Sequence, residues 1–133
     1  NYGDYWAHWL NIGAGLSRPP RMYHVNWFRQ NAAGKILWPG FGENLRVLAW
    51  ILERCAGRAG AAETAIGSLP RAQDINLRGL DISSETFADL TSVSNAAWRK
   101  EMADIRQYLL GFGSHLPAAM LAQVDEVARR LEA

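Results

Sequence analysis

The stretch from Asn26 to Asn44 sets Phe28, Ile36, Phe41 and Asn44 close together in the chain, with Gly40 and Gly42 interleaved in "WPGFGEN". These residue types suit one kind of work. A flat aromatic base needs apolar walls, each worth on the order of 1 to 3 kcal/mol by stacking, and a polar group along its edge. Phe28, Ile36 and Phe41 supply walls, and the Asn44 side-chain amide carries a donor and an acceptor together. Gly40 and Gly42 let the backbone approach a ligand and free its N–H and C=O groups for edge contacts. The competing reading is a glycine-rich connector whose aromatics fold inward. Spacing alone does not identify which base such a pocket takes.

For these side chains to converge, Phe28 must end one strand, Ile36 must lie on its neighbour, and Phe41 and Asn44 must occupy the loop that leads out of the hairpin. "MYHVNWF" alternates Tyr23, Val25 and Trp27 with Met22, His24, Asn26 and Phe28, which is the period of a strand. "RQNAAGK" carries the turn-tolerant Asn31 and Gly34, and "KILW" is short and apolar, so the return strand follows a loop longer than two residues. From Leu45, the apolar positions Leu48, Ile51, Leu52 and Cys55 form one helical stripe, and Gly57 is placed to cap its end in the left-handed conformation. "WPGFGEN" is then a strand-to-helix loop.

The remaining pattern is mainly helical. Asp4 is a candidate N-cap for a helix marked by Tyr5, Trp9, Ile12 and Leu16, and "SRPPR" stops it. Between Ala56 and Leu80 the pattern dissolves into a long surface connection that tucks in Ile66, Leu69, Ile75 and Leu77. A short helix spans about Ser84 to Leu90. A longer one from Asn95 carries Trp98, Met102, Ile105, Leu109 and Phe112 on one face before Gly113 ends it. Pro117 suits the first turn of a last helix that uses Leu121, Val124 and Leu131. The expected class is α+β, mainly helical with a small hairpin, in one domain over residues 1–133.

Composition narrows the partners. The chain has 133 residues, 49% hydrophobic and 20% charged, enough for one core. Its 14 basic residues nearly balance 13 acidic ones, so no net field draws it to nucleic acid or an anionic membrane. A single cysteine, Cys55, allows no internal disulfide and fits the cytoplasm. No apolar run approaches the roughly 20 residues of a membrane helix, and no signal peptide is recognisable. The opening "NYGDYWAHWL" lacks Met and begins inside an aromatic pattern, as in a chain cut from a longer one.

Other candidate chemistry reads as packing. Trp6, Trp9, Trp50 and Trp98 lie in helical patterns that place them in core or interface, as do Met22 and Met102. His8, His24 and His115 have no partner at a metal-ligand spacing. Cys55 is expected to be an inert buried thiol on an apolar helix face. No glycine-rich loop ends in Lys and Ser or Thr. Glu43, Glu53, Asp74, Asp81 and Asp89 are scattered, with no pair standing out as acid and base, and most are expected to be solvated.

"HVNWFR", "GKILWPGFGEN" and "RVLAWILER" together resemble the C-terminal part of GTP-dependent phosphoenolpyruvate carboxykinase. The resemblance extends to "NYGDYWAHWL", "AAETAIGSLP", "DINLRGLDIS", "WRKEM" and the "LP" before the last helix, and is tightest over the first 55 residues. It implies a parent enzyme that interconverts oxaloacetate and GTP with phosphoenolpyruvate, carbon dioxide and GDP, with Mn2+ or Mg2+ at the active site and with the nucleotide. The family's guanine pocket uses three phenylalanines and an asparagine. Phe28, Phe41 and Asn44 match three of these, and Ile36 stands where the family commonly has the third phenylalanine. Isoleucine covers a base by dispersion without aromatic stacking, which bears on affinity more than on specificity.

The resemblance further implies that the phosphate loop, the metal ligands and the substrate arginines lie upstream. The chain is then the C-terminal part of a larger α/β nucleotide-binding domain, inactive alone. Its partners would be a guanine nucleotide and the rest of the parent, itself a monomer. The apolar surfaces that face the missing part would favour self-association. Two rivals are a free-standing nucleotide-binding module and a structural interaction domain whose aromatics are all core.

Overall fold

The computed structural model describes the whole chain from Asn1 to Ala133. The elements run α1 (Tyr2–Ala14), α2 (Asn44–Cys55), β1 (Ala62–Thr64), β2 (Gly67–Leu69), α3 (Ser84–Thr91), α4 (Asn95–Leu110) and α5 (Ala118–Arg130), with 3-10 turns at Phe41–Glu43 and Gly113–His115. The class is α+β, and 51% of the chain is helical. The chain divides into two compact units, Asn1–Pro20 with Val93–Ala133, and Arg21–Ser92.

In the first unit, α4 packs on α5 around Met102, Leu109, Val124 and the fully buried Leu131. Arg99 donates to the Leu131 carbonyl at 3.0 Å. The Ser94 hydroxyl caps α4 by accepting from the Ala97 N–H, satisfying one of the donors a helix start leaves open. The cap of α1 is Asn1, not Asp4: the Asn1 side-chain oxygen accepts from the Gly3 N–H at 2.8 Å. Asp4 lies in the first turn and meets His115 Nδ1 at 2.9 Å. Trp6 packs edge-on against Phe112 with ring centroids 4.8 Å apart. Tyr5, Trp9, Ile12 and Leu16, the stripe that marks this helix in the sequence, are exposed.

The second unit is built on Trp38, Trp50 and Ile75. Trp50 donates through Nε1 to the Gly60 carbonyl at 3.1 Å, and its ring meets Tyr23 edge-on at 6.1 Å. A Cβ at Gly60 would collide with the Arg71 guanidinium and stand 2.8 Å from Asp74 Oδ1, so only glycine lets this pair close over the backbone. The Asp74 side chain is 10% exposed, an exception to the expectation that most of the scattered carboxylates are solvated. The hydrogen bond from Arg71 holds the Asp74 carboxyl below its ordinary range, and Arg58 does the same for Glu53.

The hairpin is not where the alternation places it. "MYHVNWF" forms no strand and ends in a turn at Trp27 and Phe28, although Tyr23, Val25 and Trp27 are half-buried and the residues between them exposed. The one bridge nearby joins Gln30, two residues past its end, to Ile36. The reason is local: Asn26 Oδ1 accepts from the Phe28 N–H at 2.9 Å, and this side-chain turn competes with a strand ladder. The real hairpin is β1 against β2, with Ala62 opposite Leu69 and Thr64 opposite Gly67, inside the stretch expected to be irregular. Gly67 takes φ 125°, and Thr64 Oγ1 donates to the Gly67 carbonyl at 2.7 Å.

Two further expectations fail. Cys55 is exposed, not buried, because it ends the outward stripe of Leu45, Leu48 and Leu52, all exposed. The inward face of α2 is instead Val47, Trp50, Ile51 and Arg54. Met22 is almost fully exposed and packs in no core. No helix is long and apolar enough to cross a membrane.

Candidate functional site

The four side chains singled out in the sequence all lie in the Arg21–Ser92 unit, each on a different local support. Phe28 is 73% exposed and Phe41 89% exposed, while Ile36 is 44% exposed at its bridge to Gln30. Asn44 is half-buried and opens α2. The aromatic pairs of this region, Tyr23 with Trp50 and Trp27 with Trp38, leave Phe28 and Phe41 out. These two rings therefore do not fold inward as connector aromatics would.

Their backbones are braced although the rings are free. Next to Phe28, Arg29 donates to the Ser92 carbonyl at 2.9 Å, the Ser92 hydroxyl at 2.6 Å and the Leu90 carbonyl at 3.3 Å. This ties the segment to the end of α3. The loop from Asn31 to Lys35 closes on the Asn31 side chain, whose Oδ1 accepts from the Ala33 and Lys35 N–H groups, both at 3.0 Å. That closure presents Ile36. After Phe41, Arg46 donates to Glu43 Oε2 at 2.5 Å and to the Asn76 and Arg78 carbonyls at 2.8 and 3.0 Å, clamping the 3-10 turn to the following loop. Asn44 Oδ1 accepts from Trp38 Nε1 at 2.9 Å.

Arg29, Arg46 and Trp38 are the supports that sequence reasoning missed. Glu43 and Arg46 stand three apart, a spacing at which helical charges meet, so that pair was readable. The bonds of Arg29 to Ser92 join residues far apart in the chain, which no local pattern encodes, whereas Trp38 and Asn44 stand at the two ends of "WPGFGEN" and meet through the course of that loop. A hollow of about 290 Å³ beside the bridge is lined by Arg29, Asn31, Leu37 and Asp89 among others. It contains none of the four singled-out residues.

The two loop glycines differ. Gly40 has φ 129° and ψ −178°, a region open essentially to glycine alone, whereas Gly42 has no positive φ and a Cβ there meets nothing within 4 Å. Gly40→Ala is expected to cost about 1 to 3 kcal/mol of stability, and Gly42→Ala to stay within about 0.5 kcal/mol. Chemical denaturation of the two variants checks both figures. A large loss at Gly42 would mean that its backbone needs a freedom the structure does not use.

The family model described as "Phosphoenolpyruvate carboxykinase C-terminal P-loop domain" matches residues 1–130. The chain belongs to the phosphoenolpyruvate carboxykinase family. Relatives named "Phosphoenolpyruvate carboxykinase [GTP]" include that of Paenarthrobacter aurescens (strain TC1), 43% identical over 97% of this chain and 22% of the relative. That of Treponema pallidum (strain Nichols) is 42% identical over 96% of this chain and 21% of the relative. That of Chlamydia felis (strain Fe/C-56) is 42% identical over 99% and 22%. The chain thus spans about a fifth of the length of these carboxykinases. Within it, no three His, Cys, Asp or Glu side chains stand together as a metal site requires. The residues present do not fit the divalent metal that the resemblance implies, and no carboxykinase step through a metal follows from them.

Proposed function

We propose that this chain is the guanine-recognising part of a cytoplasmic GTP-dependent phosphoenolpyruvate carboxykinase, which interconverts oxaloacetate and GTP with phosphoenolpyruvate, carbon dioxide and GDP. Phe28, Ile36 and Phe41 wall the base, Asn44 meets its polar edge, and Gly40 and Gly42 bring the backbone close. In this reading the phosphates, the Mn2+ or Mg2+ and the reacting substrate are held by residues outside these 133, and this chain contributes binding and selection of the nucleotide.

The observation that carries the reading is the pairing of free rings with fixed supports. Phe28 and Phe41 stand in solvent, yet the backbone beside each is pinned by an arginine with three acceptors. With the backbone already pinned, binding a base has to fix only the side-chain torsions of each ring, which lowers the ordering cost. Guanine carries the O6 acceptor where adenine carries an amino donor. A donor held at that edge pairs with one and faces an unmatched donor on the other.

GDP and ADP titrated into the full-length natural polypeptide that carries this chain test the proposal. Asn44→Ala is expected to lower the preference for GDP over ADP by about tenfold, the equivalent of about 1.4 kcal/mol. It should also cost about 1 to 3 kcal/mol of stability, because the buried Trp38 N–H loses its acceptor. The ratio of the two affinities is independent of that loss, so an unchanged ratio would remove Asn44 from base recognition.

A further inference from the structure

Asn44 is not a free amide. Its Oδ1 accepts from Trp38 Nε1 at 2.9 Å, and Trp38 is only 8% exposed with its ring against Trp27 at 5.9 Å between centroids. An asparagine amide presents a carbonyl oxygen on one side and an NH2 on the other, and a half-turn about its last bond exchanges them. The indole nitrogen has a hydrogen to give and no lone pair to accept with. It therefore takes the oxygen end and turns the NH2 end away from itself. The opposite rotamer would set two donors face to face and leave the buried indole N–H without an acceptor, which is costly.

From this we infer that Trp38 is a positioning residue that sets purine selectivity by fixing which end of the Asn44 amide faces the ligand. The inference rests on the reading of Asn44 as the group that meets the base. With the oxygen engaged by Trp38, the hydrogens of Nδ2 are the groups offered outward. They suit the O6 acceptor of a guanine and oppose the amino group of an adenine. The oxygen keeps a second lone pair for a ring N–H. Trp38 touches no base in this account, and its ring is anchored on Trp27 so that its N–H does not drift. The selectivity of the amide is in this way set by a buried ring rather than by the amide itself, which alone accepts either purine by rotating.

The test uses GDP and ADP as probes of the full-length natural polypeptide, with melting temperature recorded for each variant. Trp38→Phe keeps an aromatic ring but gives up the N–H, freeing the amide to rotate. It is expected to lower the GDP-to-ADP affinity ratio by about tenfold, a change that loosened packing alone would not produce because it weakens both nucleotides together. Asn44→Asp is the complementary variant. It retains an oxygen for Trp38 but presents an acceptor where the NH2 stood, so the preference is expected to swing toward ADP. Any repulsion of the nucleotide phosphates by the new charge applies to both probes and cancels in the ratio.

A Trp38→Phe variant that keeps the wild-type ratio while Asn44→Ala loses it would overturn the role of Trp38 and leave the guanine reading intact. If Asn44→Ala itself keeps the ratio, Asn44 is removed from base recognition and the role of Trp38 falls with it. Should Trp38→Phe not fold, Asn44→Asp decides alone. A swing toward ADP supports the assigned orientation, and a retained preference for GDP overturns it.

Discussion

Replacing Phe28 and Phe41 together by alanine is expected to weaken binding of GDP to the full-length polypeptide by on the order of 100-fold, counting one stacking face for each ring at the lower part of its range. Stability is expected to hold within about 1 kcal/mol. The two expectations have one source: rings that are 73% and 89% exposed do little for the fold and are free to do their work on a ligand. The backbone holds after truncation because Arg29 and Arg46 grip carbonyls and side chains elsewhere, not the rings. Ile36→Phe supplies the converse, since an aromatic third wall adds stacking where isoleucine offers dispersion alone, and binding should tighten. Isothermal titration paired with denaturant unfolding measures both sides. A stability loss above about 2 kcal/mol with unchanged affinity would make the rings structural and remove the pocket.

The strand-to-helix course of "WPGFGEN" was legible because it rests on residue type and short spacing. Phe41 and Asn44 lie on that course, which runs from the Ile36 bridge through a 3-10 turn into α2, whereas the strand that Phe28 was expected to end does not form. The helices were legible because apolar residues recur at helical spacing, and Gly57 ends α2 in the left-handed conformation expected of it, whereas the capping serines Ser83 and Ser94 went unread. The hairpin was misplaced because the two signals conflicted. "MYHVNWF" has strand alternation but lacks a partner, whereas β1 and β2 are three residues each and consist largely of Ala, Glu, Gly and Ser, types with little strand preference.

Burial was harder to read than helicity. On α2 the apolar residues fall on two faces, one turned inward at Trp50 and one outward at Leu45, Leu48 and Leu52. Periodicity reports that a helix forms and not which of two apolar stripes its neighbours cover. The α1 stripe through Tyr5 and Trp9 is outward for the same reason. Under the proposed function these are surfaces on which the rest of a carboxykinase would pack. A chain spanning about a fifth of its relatives leaves such faces open without contradiction.

The least forgiving position in the first unit is expected to be Gly3. Inside a helix, glycine to alanine ordinarily gains up to about 1 kcal/mol from propensity. Here the added Cβ would stand 2.7 Å from the His115 carbonyl carbon and 3.0 Å from the His115 Cβ, and neither side can yield cheaply. The His115 backbone is held in a 3-10 turn by Leu116 N–H donating to the Gly113 carbonyl at 3.2 Å, while Gly3 is held by the Asn1 cap. Overpacking of this kind costs about 1 to 3 kcal/mol, so the clash outweighs the propensity and Gly3→Ala should destabilise. Asp4→Asn provides the contrast. It weakens only the exposed contact with His115 and should cost less than about 1 kcal/mol. Equilibrium unfolding in urea compares the two, and hydrogen exchange along α1 locates the damage. A larger loss from Asp4→Asn than from Gly3→Ala would mean that charge, rather than the close approach of two backbones, fastens α1 to the turn.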